Sequence, residues 1–330
     1  MYRIFDAHSD LFEYIDEKRE RSVPYIVRSL HMPKWQTGGC TGGFCPIWVD
    51  PDVVVYPMPV EEQFNRILMH MQEEFEETKD IFVPVTSCEQ YESAVEQGKH
   101  AVFLGTEGLS FLKGDYNKIE KLISIGMREF SLTWNEENEF ACGAGGNEFH
   151  GLTKAGKECV KTIVNNHALL DLAHASKQTF FDAVNVLDSL SGKPFMVSHA
   201  NINAIMNHNR NLTDEQLKII AEHNGVVGIS AYGPFIARER KYMTLEKFCD
   251  NIEYVADKIG IDHVGVGFDF VDFLDDVGED EAISYELIGL ENISKGQAIA
   301  SELERRGFRN QEISKVLHDN FMRLVGDVIG

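Results

Sequence analysis

The chain has 330 residues, 43% of them hydrophobic and 25% charged, with a formal net charge of −22 at pH 7. This composition excludes a disordered, collagen-like or disulfide-scaffold protein. So acidic a surface repels nucleic-acid phosphates and anionic lipid headgroups, so neither nucleic acid nor a membrane is expected as a partner.

Short apolar runs of β type, rich in Val, Ile, Leu and Phe, alternate with helical patterning. In chain order, a strand is predicted at residues 2–7, another at 43–49, and a helix at 60–79. Residues 81–85 are read as a connection, and Ser87 with Gln90 has capping-box spacing. Further strands follow at 101–105, 129–133, 168–173, 194–198, 226–230 and 264–268. Between and after them, helices are predicted at 153–167, 177–190, 214–223, 244–259 and 311–328, the third opened by a capping box at Thr213 and Gln216. The acidic run at 275–281 reads as a solvated loop. The strands are mostly apolar on both faces, as buried parallel strands are. Eight strand–helix units predict an α/β fold, the (β/α)8 TIM barrel. With no linker or internal repeat, one barrel domain is expected over residues 1–330.

No stretch approaches 18 consecutive apolar residues, so no membrane span is expected. The start, MYRIFDAHSD, lacks the basic and apolar regions of a signal peptide, and RLVGDVIG lacks a lipid-anchor tail. A cytoplasmic location with reduced thiols is the expectation. Among six cysteines, Cys40 and Cys45 alone are near enough to pair or share a metal, a weak signal without a second pair.

Chemistry concentrates at strand ends. The first strand ends in Asp6-Ala7-His8-Ser9-Asp10 and the third in Gly105-Thr106-Glu107-Gly108. The fifth ends at His174, the sixth at His199 and the eighth at Asp269. In a parallel barrel these ends share one rim, where barrel enzymes carry their active sites. His8 and Asp10, two apart on extended backbone, point the same way, and imidazole with carboxylate suits a zinc-like ion. Glu107 between glycines has two oxygens and can bridge two ions. Taken singly, each has a plain alternative: a hydrogen-bonded core histidine, or a turn glutamate in water. Taken together, three carboxylates and three imidazoles on one rim need counter-charge, which two divalent cations supply. The remaining histidines (31, 70, 100, 150, 167, 208, 223, 263 and 318) lack the strand-end setting and are assigned surface or capping roles. Neither GGCTGGFC nor CGAGGNE has the spacing of a phosphate-binding loop.

These residues resemble a known family. DAHSDLF, GTEG, GLTKAGKECV with LLDLAHAS, PFMVSHAN followed by HNRNL, DHVGVGFDF, GLENISKG and NFMRLVG occur in the order and spacing of the membrane (renal) dipeptidases, peptidase family M19. The resemblance spans nearly the whole chain and implies a barrel of the metallo-dependent hydrolase type. It implies a binuclear zinc site: His8 and Asp10 on one zinc, His174 and His199 on the other, Glu107 bridging both. It implies Asp269 as the acid/base residue beside a bridging water, Arg210 as partner of the substrate carboxylate, and Tyr232 as a substrate-side tyrosine. Trp134 stands where the mammalian enzymes carry a substrate-contacting histidine, and the neighbouring Asn135 could donate a replacement hydrogen bond. Asp269-Phe270-Val271-Asp272 departs from the family's Asp-Phe-Asp-Gly, so the first aspartate alone is carried over.

The implied activity is zinc-dependent hydrolysis of dipeptides, L-Xaa-D-Xaa included, by a water shared between two metals. Two readings compete. Another binuclear barrel hydrolase, a cyclic-amide hydrolase or deaminase, would usually open with His-x-His and carry a strand-end lysine. A non-catalytic binding protein on the same barrel would be expected to have lost ligand positions. A homodimer is the one assembly entertained, without an interface signature in the sequence.

Overall fold

The computed structural model describes residues 1–52, 57–273 and 285–330; the acidic run at 275–281 lies outside them. The described residues form nine strands: β1 (Ile4–Asp6), β2 (Cys40–Trp48), β3 (Phe82–Val85), β4 (His100–Glu107), β5 (Met127–Ser131), β6 (Leu169–Asp171), β7 (Met196–Ala200), β8 (Val226–Ile229) and β9 (Val264–Val266). Eight of them run in the order β1-β2-β4-β5-β6-β7-β8-β9, and every pairing is parallel. Closure comes from the Ala7 N–H, which donates to the Val266 carbonyl at 3.0 Å. The result is the expected (β/α)8 barrel. All eight residues of β4 are buried, which is why its sequence is apolar on both faces.

One element departs from expectation. Residues 81–85, read as a connection, contain β3, which pairs with residues His100–Phe103 of β4. The reason lies in β5, which pairs with β4 only from Leu104 to Thr106. The lower edge of β4 would otherwise expose unpaired backbone groups, and β3 covers it. Pro84 is tolerated there because β3 is an edge strand.

The helices start where capping chemistry places them. Thr213 and Gln216 form a reciprocal box at Asp214–Glu222. Ser87 caps Cys88–Glu96, but the Gln90 side chain turns back to the Thr86 N–H instead of Ser87, so only half of that box forms. The single helix predicted at 311–328 is Asn310–Ser314 and Asn320–Val328 separated by a π turn, Lys315–Asp319. Beyond the turn, Asn320 Nδ2 donates to the Ile261 and Val264 carbonyls, and Phe321 lies against Gly265.

Phe321 joins Phe5, Phe44, Phe103, Leu169, Met196 and Val226 in an apolar cluster at the start of the strands. These rings close the barrel floor, with Phe5 edge-on to Phe44 at 5.4 Å and stacked on Phe321 at 6.0 Å. Above the floor the interior turns polar. Cys40 and Cys45 are both buried on β2 as free thiols, not joined to each other.

The histidines set aside as surface or capping residues also need correction. His31, His70, His100 and His318 are buried. His100 stacks on Trp35 at 3.6 Å, and His31 lies on Trp35 at 5.6 Å. His70 Nδ1 is 2.8 Å from Asp16. A ring with an apolar face and two nitrogens packs well when one nitrogen finds a partner, and for His70 and His100 that partner is tertiary, the latter bonding the Cys40 carbonyl at 3.3 Å. His223, although buried, does cap its helix: Nδ1 is 3.0 Å from the Ile219 carbonyl.

Candidate metal centre and active site

Strand alternation decides which side chains look into the barrel. Phe103, Gly105 and Glu107 share the inner face of β4, and their register partners Phe44, Pro46 and Trp48 share that of β2. Glu107 therefore stands at the mouth, four residues along β4 from Phe103 of the floor. His8 and Asp10 follow β1, His174 follows β6 by three residues, His199 lies in β7, and Asp269 follows β9 by three.

At the mouth these groups converge. His174 Nε2 lies 2.8 Å from Glu107 Oε1, and His199 Nε2 lies 3.7 Å from the same oxygen. His8 Nε2 is 3.8 Å from Glu107 Oε2 and 3.3 Å from Asp10 Oδ1. Two triads, His8–Glu107–His199 and His8–Asp10–Asp269, hold their ligand atoms within 4.8 Å of one another. His174 and Asp269 both adopt positive φ, 63° and 56°, conformations disfavoured for side-chain-bearing residues and held here by the surrounding structure.

The buried residues beneath fix which imidazole nitrogen is free. Ser198 Oγ donates to Asp171 Oδ2, so its oxygen accepts the Nδ1–H of His199 at 2.9 Å. Asp171 is itself held by the Ala173 and Ser198 N–H groups, both at 2.9 Å. Asn135 Oδ1 accepts the Nδ1–H of His174 at 2.9 Å. Both rings thus carry their proton on Nδ1 and present bare Nε2 lone pairs, and those two atoms lie 2.8 Å apart. Burial, with Arg210 and His8 nearby, holds both rings well below the usual histidine range, so neither supplies a proton to bridge them. Two facing lone pairs beside a carboxylate need a cation. His8 Nε2 and Asp10 Oδ1 are likewise buried without a hydrogen-bond partner. Imidazole nitrogens with carboxylate oxygens are the donor set of a zinc-type ion, so the residues fit a metal centre.

The field at the mouth agrees. Burial opposes charge on His8, yet Glu107 and Asp10 outweigh it and hold the imidazolium well above its ordinary range. The carboxylates thus call for positive charge at His8 Nε2, which a bound cation would supply in place of the proton. Burial raises the Glu107 carboxyl well above normal, and raises Asp269 to about 7 against the opposing pull of His8 and Arg210. Burial lowers Arg210 to about 10, while Asp269, Glu107 and Asp171 favour its charged form. Its terminal nitrogen donates to the His199 carbonyl at 3.4 Å, its face lies over Phe235 at 5.2 Å, and its Nε has no partner.

The other expected residues ring this cluster. Tyr232 stacks on Tyr285 at 5.2 Å and meets Phe235 edge-on at 4.8 Å. Burial raises its phenol to about 12, with Tyr285 and Asp269 adding to the effect. Trp134 is half-buried, 6.1 Å from the His174 ring and 5.3 Å edge-on from Trp48. Asn135 spends its oxygen on His174. Asp272 lies apart from the cluster, on Lys34 at 2.6 Å.

Sequence reading assigned no role to Asp171, Ser198, Asp6, Glu129 or Trp48. A carboxylate in a buried apolar strand was the available signal, since it is costly without a partner. Asp6 accepts the Phe268 N–H at 2.8 Å and so ties β1 to the residues leading into Asp269. Glu129 projects into space that exists because residue 105 is glycine: a Cβ there would lie 1.7 Å from its Oε2.

The profile of the membrane dipeptidases, peptidase family M19, matches residues 2–329. The chain belongs to this family. It is 31% identical over 234 residues to dipeptidase aclJ of Aspergillus oryzae, covering 70% of this chain and 52% of that protein. It is 29% identical over 247 residues to dipeptidase verJ of Clonostachys rogersoniana, covering 74% and 59%. The chain thus spans about half the length of the curated relatives it matches. Among solved structures, a metallo peptidase from Rhodobacter sphaeroides, liganded with a phosphinate mimic of L-Ala-D-Ala, superposes with a TM-score of 0.85 at 21% identity, covering 99% of each chain. The M19 metallo peptidase dipeptidase AC gives 0.85 at 23%, covering 100% and 99%. The M19 barrel is therefore the fold of this chain. Among the described residues, no helix is long and apolar enough to cross a membrane.

Proposed function

We propose that this chain is a metallo-dipeptidase that holds two zinc ions through His8, Asp10, Glu107, His174 and His199. The observation that carries the reading is the pair of bare Nε2 lone pairs, 2.8 Å apart, one of them 2.8 Å from the Glu107 carboxylate. In the bound state the metals supply Lewis acidity, polarising the scissile carbonyl and acidifying water.

The chain's own residues supply the rest. Arg210 offers a charged guanidinium, with Nε unpartnered, for the dipeptide's terminal carboxylate. A longer peptide puts that carboxylate elsewhere, which favours dipeptides. Asp269, raised by burial to about 7, takes a proton from water at its carboxylate oxygen and delivers it to the leaving amine. Tyr232 lines the same side and leaves its phenol neutral. The structural neighbour that binds an L-Ala-D-Ala mimic supports L-Xaa-D-Xaa dipeptides as substrates here. A cytoplasmic location and a homodimer belong to this proposal as well.

The test is elemental analysis of the purified protein together with turnover of a dipeptide panel containing D-residues. Two zinc equivalents and hydrolysis of L-Ala-D-Ala are expected. A fully zinc-loaded protein inert towards every dipeptide, or one active only on cyclic amides, would overturn the proposal.

A further inference from the structure

Resting on the dipeptidase reading, we infer that Trp48 and Trp134 form an aromatic shelf that receives the side chain of the substrate's N-terminal residue and selects large apolar or aromatic groups there. Trp48 is the register partner of Glu107, so its side chain looks into the barrel mouth beside the centre of the metal cluster. Trp134 meets it edge-on at 5.3 Å and lies 6.1 Å from the His174 ring. Both are half-buried, leaving ring surface open. The Trp48 indole N–H is buried and has no partner.

Trp134 is held firmly. Its loop folds back through Gly143 N–H to the Glu136 carbonyl at 2.7 Å and Gly145 N–H to the Asn135 carbonyl at 2.9 Å. A Cβ at residue 143 would lie 2.2 Å from the Trp134 carbonyl, so the backbone packs as closely as glycine permits.

Position round the ring assigns the end of the substrate. Arg210 follows β7, and in the order β1-β2-β4-β5-β6-β7-β8-β9 that strand stands opposite β2, which carries Trp48. A dipeptide with its carboxylate on Arg210 and its peptide bond over the metal ligands points its N-terminal residue towards the tryptophans.

The experiment uses the zinc-loaded enzyme. First, kcat/KM is compared for Phe-Ala, Leu-Ala and Gly-Ala. Phe-Ala and Leu-Ala should exceed Gly-Ala by about tenfold or more, a ratio of the size one apolar pocket supplies. Trp134→Ala and the more conservative Trp134→Leu should both shrink that ratio, the first more. Second, the protein contains three tryptophans, so in a Trp35→Phe background the emission comes from Trp48 and Trp134 alone. Phosphinate analogues of Phe-Ala and Gly-Ala, which are not hydrolysed, are titrated into it. The Phe analogue should quench or shift the emission and bind about tenfold tighter. Dipeptide turnover with equal kcat/KM for Phe and Gly and no emission response overturns the shelf and leaves the dipeptidase reading standing. An emission response to the Phe analogue without turnover of any dipeptide does the reverse.

Discussion

At the scale of single residues, the site is governed by what burial does to charge. Asp269 sits among groups that pull its protonation both ways, and burial leaves it near neutrality. Asp269→Asn keeps the shape but cannot exchange a proton; kcat is expected to fall by roughly 10²–10⁴ with both metals retained, read by steady-state kinetics and elemental analysis. Arg210→Ala should act chiefly on KM for dipeptides, because the lost contact is made before and during reaction alike. Unchanged dipeptide KM would dissociate Arg210 from the substrate carboxylate. The Asp171–Ser198–His199 chain makes a different prediction. Asp171 touches no expected ligand directly, yet it orients Ser198 and through it the His199 proton. Asp171→Asn should therefore weaken zinc binding by about 10–100-fold in a chelator competition. A merely structural role would lower the melting temperature without that loss of affinity.

At the scale of elements, strand ends deliver ligands, while a helical turn and a strand start carry the two histidines that bear on acid stability. His31, beside the helix Met32–Gly38, and His100, at the start of β4, flank Trp35. Burial lowers both rings to about 3, Lys34 adding to the effect at His31. A base whose folded pKa lies below its unfolded value contributes stability above about pH 6.5. That stability is lost as pH falls towards the folded pKa, because the unfolded chain binds the proton first. At pH 5 each ring accounts for about 2 kcal/mol of lost stability. Denaturant melts at pH 7 and pH 5 should show His100→Phe losing less stability on acidification than the wild type by about that amount. An identical loss in both proteins would show that His100 titrates normally.

At the scale of the whole molecule, the barrel brings distant, mutually repelling carboxylates to one mouth, and the cation that balances them should also stabilise the fold. A ligand bound only by the native state, present at a thousand times its dissociation constant, adds about 4 kcal/mol. Removing metal with a chelator is expected to lower the melting temperature by about 5 °C or more, with recovery on adding zinc. A melting temperature indifferent to chelator and zinc alike would mean that the cluster carries no metal.

Much of this was legible in the sequence because it is written in local pattern. Buried strands read as short apolar runs, capping residues mark helix starts, and a polar residue at the end of an apolar run points to a strand end facing the rim. His8, Glu107, His174, His199 and Asp269 could each be picked out on those grounds, and the family motifs added Arg210. What local pattern does not carry is contact between segments far apart in the chain. It could not show that β3 would fill the edge β5 leaves open, or that His100 would lie on Trp35. Nor could it show that Asp171 would reach the imidazole of His199 through Ser198, or that Trp48 would face Trp134. Strand periodicity is a property of neighbours along the backbone, whereas proton placement, burial and the pairing of rings depend on which strands lie side by side, and only closure of the barrel decides that.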